Sequence, residues 1–397
     1  MPSIIDDCIL LLIAVENDKI NLQNAFLHSR YRKRFLRQLS KMERTRRQRR
    51  IPRSALLPPH ESPWKRVLQS QNDQALITLT GLDFATFNVV AQPFQFFFDN
   101  YTPFTKEGSI VLLKKKTTGR PRFISAEDGL GLVLAWTRTR GSTMVLELIF
   151  GMTQTPVSEY LYFCMIILIR VLQAMDDAKI KPPGMEKIVE YQGAVTQRHP
   201  MLQNVWCTMD GIKLLLECAG DDEEQNQYYN GWTCDHYVSA VFVFCPDGTI
   251  PICCYNVPGT VHDSKIALIG KIYTKLSTIY SETGGCCTVD STFAKNDYPF
   301  LIKSKNPTVD MTPNEIMIAR EATSMRQSAE WGMRAFQASF PRVKDQIPFE
   351  NKGQRKLMVK MMLLLYNLRA RRVGINQILN VYMSSLTQDV NEIYNNV

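Results

Sequence analysis

The sequence holds ten cysteines in 397 residues, yet no two of them stand in a C-x-x-C spacing. The usual zinc-finger arrangements are therefore excluded. Cys253-Cys254 and Cys286-Cys287 are adjacent pairs inside apolar, strand-like runs, where free cysteine packs as a small hydrophobe. That usage points to a reducing, intracellular compartment. Long apolar runs are also missing. The longest reads from Tyr160 to Ile169, about half a membrane span, and fits a buried helix better. The apolar start from Cys8 to Val15 follows Asp6 and Asp7, where a secretory leader would carry positive charge. Internal repeats and low-complexity segments are absent, and no membrane partner is expected.

Acidic residues are scarce in one place. Between Arg30 and Arg53 there are twelve Lys/Arg and a single acid, Glu43, a local charge of +11 in a chain whose total is +9. The remainder is therefore slightly acidic, and the basicity belongs to an arm. Such an arm is drawn to polyanions, nucleic acid above all, or is a solvated linker. Arg46, Arg47, Arg49 and Arg50, in the run RRQRR, also resemble a nuclear-import signal, so a nuclear location is expected.

A chain of this length, 45 % hydrophobic, accommodates two or three domains. The expected division is an N-terminal segment with the basic arm over 1–62, a helical domain over 63–200 and a sheet-containing domain over 201–397. In the helical part, apolar residues recur at three- and four-residue intervals from Ala75 to Tyr101. Ser125 and Asp128 form a capping box. Two helices break at Gly151, the second starting at Thr155 with Pro156 at its first position, giving a helix-turn-helix-like hairpin that either enters a DNA groove or packs on its neighbours.

Past Val205 the period changes to that of strands. VSAVFVFCPDGTIPICCYNV reads as a β-hairpin around Pro-Asp-Gly, and GGCCTVD as a short buried strand. A long helix is signalled by Thr312, Pro313 and Glu315 and is stopped by Pro341. A last helix runs from about Gln354 to Gly374. This order predicts an α/β fold, a mixed sheet flanked by helices.

His262, Asp263 and Ser264 are consecutive, so they cannot converge as a hydrolase triad. The chemistry lies instead in acids far apart in the chain. Asp210 is expected to end the first strand, Asp290 to end the buried strand, Glu330 to stand within the long helix, and Asp263 at the foot of the preceding one. Converging carboxylates repel and stay ionised when a cation neutralises them. Oxygen-only ligands suit Mg²⁺ or Mn²⁺, and two such ions clamp the attacking and leaving oxygens of a phosphodiester displacement. Each acid also has a plainer role: Asp263 as an N-cap, Asp290 as a turn or cap, Asp210-Gly211 as a hairpin turn, Glu330 as part of an exposed ion-pair ladder with Arg326 and Arg334.

Five blocks carry a resemblance. CTMDGIK (207–213), PGTVHDS (258–264), VDSTF with DYP (289–293, 297–299), the helix with Arg326, Glu330 and a distal FPR (340–342), and LLYNLRARRVG (364–374) resemble, in order, motifs of PIF/Harbinger-type transposases. These are DDE superfamily endonucleases related to the insertion-sequence-5 group. The region from 141 to 158 resembles that family's upstream helix-turn-helix.

The resemblance implies an RNase H-like fold, with Asp210, Asp290 and Glu330 as the catalytic acids and Asp263 as a further ligand of the two Mg²⁺ or Mn²⁺ ions. It implies cleavage of double-stranded DNA at transposon ends and transfer of the 3′-hydroxyl strand to a target, with a separate DNA-binding accessory protein and a homo-oligomer as expected partners. Arg326, Arg334, Arg369, Arg371 and Arg372 are further candidate DNA contacts. Trp331, Met333, Arg334 and Phe293 depart from the family pattern without touching the acids. The rival reading is a domesticated, non-catalytic DNA-binding or regulatory protein derived from a transposase.

Overall fold

A computed structural model describes residues 50–106, 109–114, 121–218, 222–231, 233–293, 298–306, 308, 311–347 and 352–383. The chain divides into two compact units, Met1–Leu56 and Leu57–Val397. Of the first, the described part is a short 3₁₀ turn, Arg53–Ala55, preceded by an exposed Arg50. Arg46, Arg47 and Arg49 lie outside the described residues.

The second unit begins with helices α1 (Pro63–Ser70), α2 (Asp73–Thr80) and α3 (Phe84–Asn100). Asn72 and Asp83 cap α2 and α3 by accepting from Ala75 N and Thr86 N, which satisfies amides that have no partner inside the helix. An antiparallel hairpin follows, β1 (Tyr101–Lys106) and β2 (Ser109–Lys114). The region expected to be helical throughout is therefore interrupted by two strands. Helical periodicity stops at Tyr101, and the segment beyond it pairs strand to strand.

Helices α4 (Ala126–Arg138), α5 (Met144–Phe150), α6 (Gln154–Ala174) and α7 (Met185–Arg198) complete the region. The Ser125–Asp128 capping box forms as expected. In the α5–α6 hairpin the second helix packs against α4 and against a helix near the end of the chain. Its centre, Cys164 to Ile169, is buried, so the apolar half of α6 is core.

The sheet is built from β3 (Val205–Leu215), β4 (Tyr229–Asn230), β5 (Asp235–Phe244), β6 (Ile252–Pro258), β7 (Cys286–Val289) and β8 (Leu301–Lys303). Helix α8 (Asp222–Tyr228) precedes β4, and α9 (Asp263–Ile269) and α10 (Ile272–Thr283) stand between β6 and β7. Spatially the order is β6-β5-β3-β7-β8, with β4 also on β5. The β3–β5 and β5–β6 pairs are antiparallel, and β3–β7 and β7–β8 are parallel. Helices α11 (Pro313–Ser339), α12 (Lys352–Arg372) and α13 (Gln377–Tyr382) close the chain. This is a mixed α/β architecture with a mixed sheet flanked by helices and an N-terminal helical region, consistent with an RNase H-like fold.

Alternation along the strands divides the core. Ile212, Leu214, Ala240, Phe242 and Phe244 face a large cluster shared with α11 and α12. Cys207, Met209, Val241 and Val243 face a second cluster with α9 and α10. On the first face Phe336 of α11 meets Phe242 at 5.4 Å and Tyr366 at 5.8 Å between ring centroids. Gly332 lets α11 lie this close, since a Cβ there would come within 2.5 Å of the Phe244 ring. The capping box of Thr312 and Glu315 starts α11, as expected from the sequence.

Phe336 is fully buried and joins sheet to helices. Phe336→Ala is expected to lower stability by about 3–5 kcal/mol, read from chemical denaturation of the folded protein.

Candidate active site

Asp210 lies in the middle of β3, not at its end. The strand runs on through Leu215, paired with β5 at every position, so Asp210-Gly211 is not a turn. Being at an even position, Asp210 shares a face with Ile212 and Leu214, the face covered by α11. One turn of α11 brings Arg326 and Glu330 above it. The Arg326 guanidinium reaches both acids, Nη1 at 3.7 Å from Asp210 Oδ2 and Nη2 at 3.2 Å from Glu330 Oε1. Glu330 is the more open of the two carboxylates, 42 % exposed against 21 %.

Asp290 follows β7 directly. The parallel register pairs Met209 with Val289, so the next step sets Asp290 beside Asp210, one strand spacing away. Thr292 Oγ1 donates to Asp290 Oδ2 at 3.0 Å, and Phe293 N donates to the Asp290 carbonyl at 3.1 Å. The plain turn role therefore coexists with the placement near Asp210.

Asp263 is the first residue of α9. His262 occupies the N-cap, makes no side-chain capping bond and is exposed, so the Asp263 carboxylate is not a helix cap. It lies instead against Gly211. A Cβ on Gly211 would meet Asp263 Oδ2 at 2.3 Å, a separation that no side chain tolerates. The Asp-Gly pair thus has a positional meaning: one residue supplies an acid on the α11 face, and the next leaves room for a second acid from the other side.

The electrostatics match this crowding. Burial pushes the Asp210 carboxyl above the usual carboxylate range, and the charges of Asp263 and Asp290 push it the same way. The Gly211 N–H, donating to Oδ1 at 2.8 Å, and the Arg326 guanidinium oppose them. Burial also raises the Asp263 carboxyl, helped by Asp290 and opposed by Lys213 and His262. Three aspartates from three elements therefore feel one another, and Arg326 ties Glu330 to the group.

Among the described residues, no three His, Cys, Asp or Glu side chains stand close enough together to hold a metal ion as they are placed. The donor set nevertheless fits a hard divalent cation: it consists of carboxylate oxygens, and their mutual repulsion calls for positive charge. Arg326 supplies part of that charge. Its Nε is buried and has no hydrogen-bond partner among the described residues.

The other candidate arginines fall into two groups. Arg334 is exposed. Arg369 is buried, its Nε donating to the Gly81 carbonyl at 2.6 Å and its Nη1 to Ser339 Oγ, so its guanidinium serves the interior and cannot face DNA in this fold. Arg371 donates to the Asp177 carbonyl at 2.7 Å, and Arg372 pairs with Asp177 Oδ2 at 2.6 Å. Both hold α12 to the turn after α6. Asp297 lies outside the described residues.

Two neighbours of the acids were not anticipated from sequence. Lys213 stands two residues beyond Gly211 on the same face of β3 and bears on Asp263, which strand alternation alone would have given. The contact of Arg326 with Asp210 crosses from helix to sheet, and no local pattern signals it.

A sequence profile of the DDE superfamily endonuclease family matches residues 209–367, less than half of the chain. No curated protein and no solved structure matches it. The matched span contains all four acids and supports a transposase-like nuclease of the DDE superfamily. Such an endonuclease implies DNA as substrate, and nucleases of this superfamily generally use divalent metal ions.

Because the folded-state value of Asp263 is raised, its ionised form costs stability above that value, and the cost vanishes once the group is protonated in both states. Asp263→Asn is therefore expected to raise the melting temperature of the metal-free protein at neutral pH by about 1–3 °C. The gain should shrink as pH falls through the acidic range. A melting temperature that drops at pH 7 would contradict the assignment of burial as the dominant influence.

Proposed function

We propose that the chain is a PIF/Harbinger-type transposase that cuts phosphodiesters at transposon ends and transfers the freed 3′-hydroxyl strand to a target. The observation that carries this reading is the gathering of Asp210, Asp263, Asp290 and Glu330 from β3, α9, the end of β7 and α11 into one charge-coupled group. In this reading Asp210, Asp290 and Glu330 are the catalytic acids and Asp263 assists them. Mg²⁺ or Mn²⁺, two ions when fully loaded, would supply neutralisation of the carboxylates and activation of water or a 3′-hydroxyl.

The chain's own residues do the positioning. Asp210 is held by the ladder with β5, where it pairs with Phe242, and by the Gly211 N–H. Asp290 is oriented by the Thr292 hydroxyl. Glu330 is aimed by Arg326 and by the depth at which Gly332 lets α11 settle. Arg334 and the arm residues Arg46, Arg47, Arg49 and Arg50 are proposed to bind the DNA backbone, an interaction expected to weaken steeply with salt. The RRQRR run suits nuclear import. The working division is an arm over 1–62, a helical DNA-contacting part over 63–200 and a nuclease part over 201–397, acting on transposon ends and target as a homo-oligomer with a separate DNA-binding accessory protein.

One observation favours a second reading, a domesticated DNA-binding or regulatory protein without catalysis. Arg326 bridges Asp210 and Glu330, and the acids are not drawn tightly enough for a metal as they stand.

Purified protein is expected to nick or cut double-stranded DNA in Mg²⁺ or Mn²⁺, with Asp290→Ala reducing the rate at least a hundredfold. Gly211→Ala, which displaces Asp263 without removing any acid, is expected to lower it at least tenfold. Equal cutting by wild type and Asp290→Ala would remove the nuclease assignment. Salt-sensitive binding with no cutting under either ion would select the non-catalytic reading.

A further inference from the structure

All nine cysteines among the described residues are free, and just two of them, Cys218 and Cys234, are exposed. Burial pushes the thiols of Cys164, Cys207, Cys245 and Cys286 upward, and raises Cys253 to about 12. As thiolates are the reactive form, these buried groups are poor nucleophiles. The two accessible thiols are not scattered. The antiparallel register of β3 and β5 pairs Leu215 with Tyr237, and Leu216 N donates to the His236 carbonyl at 2.8 Å. Cys218 and Cys234 lie just past the ends of these two strands, Cys218 two residues beyond Leu216 and Cys234 two residues before His236.

A base stands beside them. His236 Nδ1 lies 3.7 Å from Cys218 Sγ. Cys234 has a left-handed backbone (φ 54°), and its thiol rests 3.6 Å from the Gly231 carbonyl and hydrogen-bonds the Tyr229 hydroxyl. The Tyr229 ring in turn packs on His236, 5.1 Å between centroids.

We propose that Cys218 and Cys234 are a peroxide-sensitive dithiol, a modification site separate from the acids. Cys218 gives its proton to His236 Nδ1 and the thiolate attacks one peroxide oxygen, breaking the O–O bond. That leaves a sulfenic acid on Cys218 and a hydroxide that takes a proton to become water. The Cys234 thiol then attacks the sulfenic sulfur, forming the S–S bond and releasing a second water. Two thiols are oxidised and one hydroperoxide is reduced.

The site has a structural reach. Between the two cysteines, Gln227 and Asn230 brace the turn that leads into α9: Thr260 Oγ1 donates to the Gln227 carbonyl at 3.1 Å, and Asn230 Nδ2 to the Gly259 carbonyl at 3.3 Å. The cross-link closes the base of the segment that supports the entry to Asp263.

The test is to expose the folded full-length protein to hydrogen peroxide and map disulfides by non-reducing peptide mass spectrometry. The expected result is a Cys218–Cys234 peptide as the dominant cross-link, reversed by dithiothreitol, with the oxidised protein melting about 2–4 °C higher than the reduced one. Cys234→Ser should stop at a sulfenic acid on Cys218 that dimedone traps. His236→Asn should slow cross-linking about tenfold while leaving the reduced protein's far-UV spectrum unchanged. Cross-links dominated by another pair, including Cys8 or a second chain, would overturn the proposal. So would over-oxidation of Cys218 in wild type with no internal disulfide.

Discussion

Like charges brought together by a fold need something to hold them there, and strand β3 does most of that holding. It is the centre of the sheet, bonded to β5 on one side and β7 on the other, so its side chains have little freedom to retreat. Two consecutive residues on it serve opposite faces. Asp210 meets α11, and Gly211 opens the other face to Asp263. The register with β7 then delivers Asp290 alongside. Each acid is fixed by an element whose own packing is large and apolar, and that packing offsets the burial, and with it the mutual repulsion, that raises the Asp210 and Asp263 carboxyls. Arg326 is the polar counterpart of the same constraint, spanning sheet and helix where the negative charge is densest.

Much of the fold was legible where side-chain chemistry acts locally. The capping boxes at Ser125 and Thr312, the Pro-Asp-Gly hairpin and the buried CCTV strand all formed as their residues required, because caps and turns are settled within a few positions. Legibility failed where a distant partner decides. The 101–114 hairpin directly follows an apolar helical run, and its strands are decided by their pairing with each other. Asp210-Gly211 looks like a turn on its own. Only the ladder bonds from β5 make it mid-strand.

The candidate site divides in the same way. Four acids could be chosen from sequence because they recur at motif-like blocks, but their neighbours could not. Arg369 looked like one more cation in a basic helix end, and the structure shows it buried against Gly81 and Ser339. Arg326 looked like an i,i+4 partner of Glu330, which it is. Its reach to Asp210 depends on how deep α11 sits on the sheet, and that depth is set by Gly332 against the Phe244 ring.

Helix α6 carries a consequence for how this chain is made. It is long and apolar enough to pass for a bilayer-crossing segment, and its burial depends partly on α12, which leaves the ribosome much later. At 5–20 residues per second that interval is on the order of ten to forty seconds. Throughout it, α6 has its cover from α4 but not yet from α12. The apolar face of α6 is therefore completed last, when the C-terminal helix arrives.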